Sequence, residues 1–325
     1  MNRWVTYQRE RFPLAGHAPL VAAFSASAVC FSSLVRGHVA APSPAALLVA
    51  FTTSLLFFLQ LRIADEFKDF DEDSRFRPYR PVPRGLVTLR ELACVAVGGG
   101  LLQLGLALWL DASLVWLLVP TWTYLALMTR EFFVPRWLRA HPVIYMASHM
   151  LILPLVDLYA TACDWRVAGV RSAPAGLYWF LVVSYLNGIV IEIGRKTRAP
   201  ADEEHGVETY SALWSAQGAA RAWLFAVMLT GAAAWEASVR IGTAGPTVVM
   251  LGLLVVACGE VARRFVQSAG SGSGQSSGSG QSSGSGQSVT GSGKSLEVMA
   301  GVWTLLMYLS LGAAPLAITL WQEAK

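Results

Sequence analysis

"ALLVAFTTSLLFFLQLRIADEFKDFDEDSRFRPYRPVPRG", residues 46–85, turns within a few positions from unbroken apolar side chains to the densest charge in the chain. Residues 46–60 carry no charged side chain, whereas residues 61–85 carry six acidic and six basic ones. Charge is strongly disfavoured in hydrocarbon and readily solvated in water. The change at Leu61 therefore reads as the place where a helix leaves a membrane.

The same pattern recurs along the sequence. The 325 residues are 54% hydrophobic and only 14% charged, against about a quarter charged in an ordinary soluble domain. Apolar residues gather in blocks near 17–35, 44–62, 89–109, 112–130, 142–161, 174–194, 220–238, 245–262 and 296–320. Each is close to the roughly 20 residues with which a helix crosses a bilayer core of about 30 Å. The blocks lack the two-residue alternation of a membrane β-barrel, which leaves helices. The predicted fold class is all-α, a polytopic membrane protein with nine spans and a single transmembrane domain over residues 1–325. Arg3, Arg9 and Arg11 precede the first span and no small-residue cleavage pattern ends it, so it reads as a retained helix rather than a signal peptide.

Basic residues set the expected orientation. The N-terminal stretch and the connections after spans two, four, six and eight hold 20 Lys or Arg, and the opposite connections with the C-terminus hold five. The positive-inside bias then puts the N-terminus in the cytoplasm and the C-terminus outside. The net charge of +4 reports topology, and nothing points to a nucleic-acid partner. Cys30, Cys94, Cys163 and Cys258 have no C-x-x-C spacing and read as small buried hydrophobes. Residues 268–294 repeat a Ser-Gly-Ser-Gly-Gln-Ser unit, a flexible linker between spans eight and nine, natural or engineered.

Asp65, Asp69 and Asp73 stand at i, i+4 and i+8. If the second span continues as a helix, the three carboxylates line one face, about 6 Å apart per step. Like charges so placed repel, and a divalent cation between them relieves the repulsion. Oxygen-rich sites suit Mg2+, which takes one or two carboxylates and completes its shell with water and substrate phosphates. Arg75, Arg77, Arg80 and Arg84 follow in a proline-stiffened stretch. Guanidinium forks match phosphate oxygens, and a stiffened backbone has less freedom to lose on binding. Metal ligands followed at once by phosphate ligands make a sensible diphosphate site. The alternative is a solvated acidic loop with arginines that only fix topology.

The string "DEFKDFDED…RPYRPVPRGLVT" resembles the first aspartate-rich motif of the UbiA superfamily of intramembrane prenyltransferases, N-x-x-x-D-x-x-x-D followed by R-P-x-R-P. Asp65 stands where the family usually has Asn, Asp69 and Asp73 match the two aspartates, and Arg77-Pro78-Tyr79-Arg80-Pro81 matches the basic turn. The resemblance implies a nine-span helical bundle in a membrane such as the bacterial inner membrane, with its active site facing the cytoplasm. It implies transfer of a prenyl group from a prenyl diphosphate to an acceptor, with Mg2+ as cofactor and membrane lipid around the chain. Asp65, Asp69 and Asp73 would then be catalytic metal ligands, and Lys68, Arg77 and Arg80 would hold the diphosphate.

The same resemblance implies a D-x-x-x-D motif at the end of span six, where the chain reads "NGIVIEIGRKTRAPADEEHGVETYSALW", residues 187–214. Glu192 takes the first place, and Lys196 stands in the second, where an ammonium cannot ligate Mg2+. Either Glu192 and Asp202 hold a metal in altered geometry, with Glu203 and Glu204 beside them, or Arg195, Lys196 and Arg198 meet the phosphates directly. Basic and tyrosine side chains near the end of span four contact the diphosphate in the family, which adds Arg130. Asn187 and Tyr185 could face a cavity, although a helix–helix hydrogen bond suits the Asn equally. His149 reads as an interior packing residue. Asp157 and Glu236 read as interfacial residues near the outer face.

Two other readings stay open. Some relatives cyclise the prenyl chain without an acceptor. A transporter or lipid-binding protein is the rival from another class, and it predicts ionisable residues buried along the spans. The acceptor and the length of the prenyl chain are not legible.

Overall fold

The computed structural model describes residues 2–203, 208–271 and 292–323. Glu204 and most of the Gly/Ser/Gln tract fall outside the described residues. The described chain is helical throughout, without a strand. In order the helices are α1 (Arg3–Arg11), α2 (Leu14–Val35), α3 (Pro44–Lys68), α4 (Phe70–Phe76), α5 (Leu89–Leu110), α6 (Val115–Thr129) and α7 (Pro135–Arg139). There follow α8 (Pro142–Met150), α9 (Ile152–Trp165), α10 (Leu177–Arg195), α11 (Tyr210–Arg240), α12 (Ala244–Ser271), α13 (Ser292–Leu311) and α14 (Ala313–Glu323).

Among the described residues, nine helical stretches are long and apolar enough to cross a membrane, one for each block read from the sequence. This is a multi-pass membrane protein. Five spans differ in detail from the sequence reading, the eighth by running on to Ser271. The second runs on to Lys68, because nothing between Leu61 and Lys68 breaks a helix. The fifth is broken at Leu151 into α8 and α9, and the ninth at Gly312 into α13 and α14. The seventh begins early, at Tyr210, and is kinked at Ser215, whose φ is 65°. Both ends of the predicted linker are helical: residues 268–271 close α12 and residues 292–294 open α13.

The chain divides into two compact units, residues 1–184 with 308–325, and residues 185–307. In the first unit α3 is the central element, with α2, α5 and α9 packed against it and α6 against α9. Ser43 starts α3 by accepting the Ala46 N–H at 3.1 Å, with Pro44 at the first helical position. Amide side chains join α3, α5 and α6. Gln60 donates to Gln103 at 3.1 Å, Gln103 donates to the Thr53 carbonyl at 3.1 Å, and the Trp122 indole donates to Gln103 at 2.9 Å. Buried polar bridges of this kind are what holds helices together where lipid supplies no hydrophobic drive.

Asp157 corrects an expectation. It is wholly buried inside the first unit rather than interfacial, and it accepts a hydrogen bond from the Tyr308 hydroxyl at 2.8 Å. Tyr308 packs edge-on against Phe24 and Phe180. His149 is buried, its ring stacked on Tyr145 with centroids 4.0 Å apart. Cys30, Cys163 and Cys258 are buried as expected, and Cys94 is exposed.

In the second unit α11 packs along α12. The Trp223 indole donates to the Val190 carbonyl at 3.1 Å, and a Cβ on Gly194 would meet Ala300 at 2.9 Å. Gly194 therefore permits α10 and α13 to touch, as small residues do in membrane interfaces.

Gly312 does the same for α2 and the last span. A Cβ there would overlap the backbone of Ser27. Gly312→Ala is expected to cost about 1–3 kcal/mol, the usual range for overpacking, and a thermal melt in detergent reads it as a lowered midpoint.

Candidate active site

The row predicted at Asp65, Asp69 and Asp73 survives a bend. α3 ends at Asp69, with φ −95° and ψ 5°, and α4 begins at Phe70. Across that bend the Asp69 N–H donates to the Asp65 carbonyl at 2.8 Å, Asp73 to Asp69 at 2.7 Å and Arg77 to Asp73 at 2.9 Å. The i, i+4 ladder is thus continuous from Asp65 to Arg77. Pro78, Pro81 and Pro83 then forbid further helix, and the chain turns back through Gly85, whose φ of 76° needs glycine.

The three carboxylates have different surroundings. Asp73 is buried, its side chain only 2% exposed. It accepts from Arg77 at 2.9 Å and from Arg80 at 2.7 and 2.5 Å, and Arg11 Nη2 stands 3.8 Å away. Asp65 is about half exposed, 3.7 Å from Arg62. Asp69 lies between these extremes. Burial pushes its carboxyl above the ordinary value and the charge of Asp65 adds to the push, while Lys68 opposes it. Glu72 is raised as well, by burial and then by Asp69, against Arg77. Asp65, Asp69 and Glu72 follow the i, i+4, i+7 spacing of one face, and their like charge works against each of them.

Within either unit, among the described residues, no three His, Cys, Asp or Glu side chains gather closely enough to form a ready-made metal cage. Mg2+ needs only one or two carboxylates and keeps water and phosphate for the rest. Asp65 and Asp69 fit such an ion by donor type and by the repulsion a cation would relieve. Asp73 is less suited, because its oxygens already receive guanidinium hydrogen bonds.

The remaining predicted residues fall as follows. Lys68 directs its ammonium to the Tyr145 hydroxyl and stands 3.9 Å from Glu131. Glu131 is buried, and Glu131, Phe132 and Phe133 all have positive φ, between 48° and 61°. Such backbone is strained outside glycine and persists where the surroundings fix it. Arg130 is exposed at the end of α6. In the second unit Glu192 is buried at the end of α10, one oxygen accepting from Arg195 at 2.7 Å and the other 2.9 Å from Lys196. Arg198 donates its backbone N–H to Ser211 at 2.8 Å, and its guanidinium donates to the Asp202 carbonyl at 3.5 Å. Glu203 accepts from the Thr209 and Ser211 hydroxyls at 2.7 Å, at the start of α11.

Sequence reasoning missed Glu66, Arg62 and Arg11. Glu66 is buried and accepts from Arg11 at 2.5 Å and from Arg62 at 3.1 Å. The signal was present, since Glu66 and Asp73 are seven apart and so share a stripe beside the Asp65–Asp69 row. Arg11, nine-tenths buried, comes from α1. That helix is seated by Tyr7 against Ile63, Val82, Val87 and Leu92, and by Glu10 on Arg84 at 2.9 Å.

No family model matches the chain, and no curated protein matches it. One solved structure does. An apo UbiA homolog from Aeropyrum pernix K1 superposes with a TM-score of 0.62 over 93% of this chain and 98% of that one, at 14% identity. The chain has the UbiA fold. The acidic row and the arginine turn lie in the connection after the second span.

The clamp on Asp73 has a measurable weight. Arg80→Ala removes two hydrogen bonds from a buried carboxylate, and hydrogen bonds to charged groups are worth about 1.5–3 kcal/mol. The variant should melt clearly lower than wild type, whereas Arg75→Ala, at an exposed position, should stay within about 0.5 kcal/mol.

Proposed function

We propose that the chain is an intramembrane prenyltransferase, moving a prenyl group from a prenyl diphosphate to an acceptor at a site facing the cytoplasm. One observation carries the reading: an acidic row beside an arginine turn at the mouth of an apolar span, on a chain with the UbiA fold. The substrate is amphipathic in the same sense, with an anionic head for the water boundary and a hydrocarbon tail for the spans.

Asp65 and Asp69 are the residues that would hold Mg2+, which when bound neutralises charge on the departing diphosphate. Arg77 and Arg80 present guanidinium forks from a proline-fixed turn, and Lys68 adds a point charge held in place by Tyr145. These groups act where charge grows as the allylic carbon–oxygen bond breaks and its electron pair leaves on the diphosphate. The acceptor's nucleophilic atom bonds to the prenyl carbon and gives up its proton, while the surrounding spans keep water from the cation. At the second motif Lys196 occupies a metal ligand's place, and it already pairs with Glu192.

Purified protein incubated with labelled prenyl diphosphates of several lengths, with and without candidate acceptors, tests the reading. Turnover should require Mg2+, and Asp69→Asn should lower it at least about a hundredfold, because a metal's charge stabilisation is worth several kcal/mol. Product formed without acceptor would make the enzyme a cyclase. Turnover indifferent both to chelation and to Asp69→Asn would sink the proposal.

A further inference from the structure

α1 carries none of the expected site residues, yet it enters the buried ion cluster. Arg11 Nε donates to Glu66 at 2.5 Å. Its Nη2 is buried and has no hydrogen-bond partner among the described residues, standing 3.8 Å from Asp73 Oδ2, just beyond hydrogen-bond reach. Asp73 meanwhile takes its hydrogen bonds from Arg77 and Arg80. Under the proposed function those two arginines have a second claimant, the diphosphate. They cannot turn toward it without cost, because a buried carboxylate stripped of its partners is strongly destabilising.

We propose that Arg11 is the reserve counter-ion for Asp73. When an anionic head group draws Arg77 and Arg80, the Arg11 Nη2 donor closes on Asp73 Oδ2 and keeps that carboxylate paired. Arg11 is thus a positioning residue: it does not touch the substrate but sets how readily the arginine turn is released to it. Tyr7, seated in the core beside Ile63 and Val82, and Glu10, paired with Arg84, hold α1 where this exchange needs it. The basic N-terminal helix, explained in sequence by topology alone, gains a chemical task. The inference rests on the diphosphate-binding reading above.

Reciprocity supplies the test. If Arg11 favours diphosphate binding, the diphosphate must tighten the contacts of Arg11. Inorganic diphosphate with Mg2+ is titrated calorimetrically into the full-length chain in detergent. Arg11→Gln should raise its dissociation constant roughly tenfold, the low end of what supporting partners of a ligand contribute. Arg11→Lys, which keeps the charge without the fork, should recover part of the loss. In the wild-type chain, saturating diphosphate should slow amide hydrogen exchange in residues 7–12 severalfold, a response that a purely structural helix would not give. This measurement also decides the matter if Arg11→Gln does not fold. Unchanged exchange in α1, with Asp69→Asn binding weakly and any folded Arg11 variant binding normally, overturns the counter-ion role and leaves the functional reading intact. A wild-type chain that binds no diphosphate overturns both.

Discussion

A carboxylate with almost no water around it has to be met by positive charge, and Asp73 is such a group. Its three guanidinium neighbours come from α1, from the end of α4 and from the proline turn. That single requirement therefore organises the charged end of α3. It bends the chain back through Gly85, brings the N-terminal helix into the core and fixes the arginine turn beside the acidic row. Asp65 and Asp69, on the same stretch, are more exposed than Asp73, so burial divides one motif into an anchoring part and a part nearer the surface.

The second motif follows a related local logic. Asp73 is answered by Arg77 four residues on, and Glu192 by Lys196 at the same spacing, each cation just past a helix end and held there by an i, i+4 backbone hydrogen bond. In each, the i, i+4 neighbour supplies a cation that costs little extra ordering, because the helix has already placed it. The two differ in what surrounds the pair. Asp73 receives further arginines from outside its own helix, whereas Glu192 is met by its own neighbours Arg195 and Lys196.

Much of the fold was legible because hydrophobic length is a one-dimensional signal. Every apolar block became a span, and the breaks that went unforeseen, at Leu151, Ser215 and Gly312, are local adjustments inside otherwise apolar runs. The acidic row was legible because a four-residue spacing survives the bend at Asp69. Its environment was not. Which carboxylate would be buried depended on Arg11, more than 60 positions earlier, and on Tyr145 and Glu131, which hold Lys68 from beyond the next two spans. Asp157 was misplaced for the same reason: position within a span is no guide to depth within a bundle, and its partner Tyr308 lies 151 residues away.

That separation also bears on biogenesis. An aspartate in the middle part of a span opposes insertion by about 2.5–3.5 kcal/mol, and the hydroxyl that receives this one is synthesised only with the final span. Between those two moments the nascent protein resides in the bilayer with an acid still unanswered by Tyr308. Synthesis of the span that carries Tyr308 is then more than the addition of one more helix. It supplies the partner of an acid laid down 151 residues earlier, and the interior of the first unit is complete only once that span is in place.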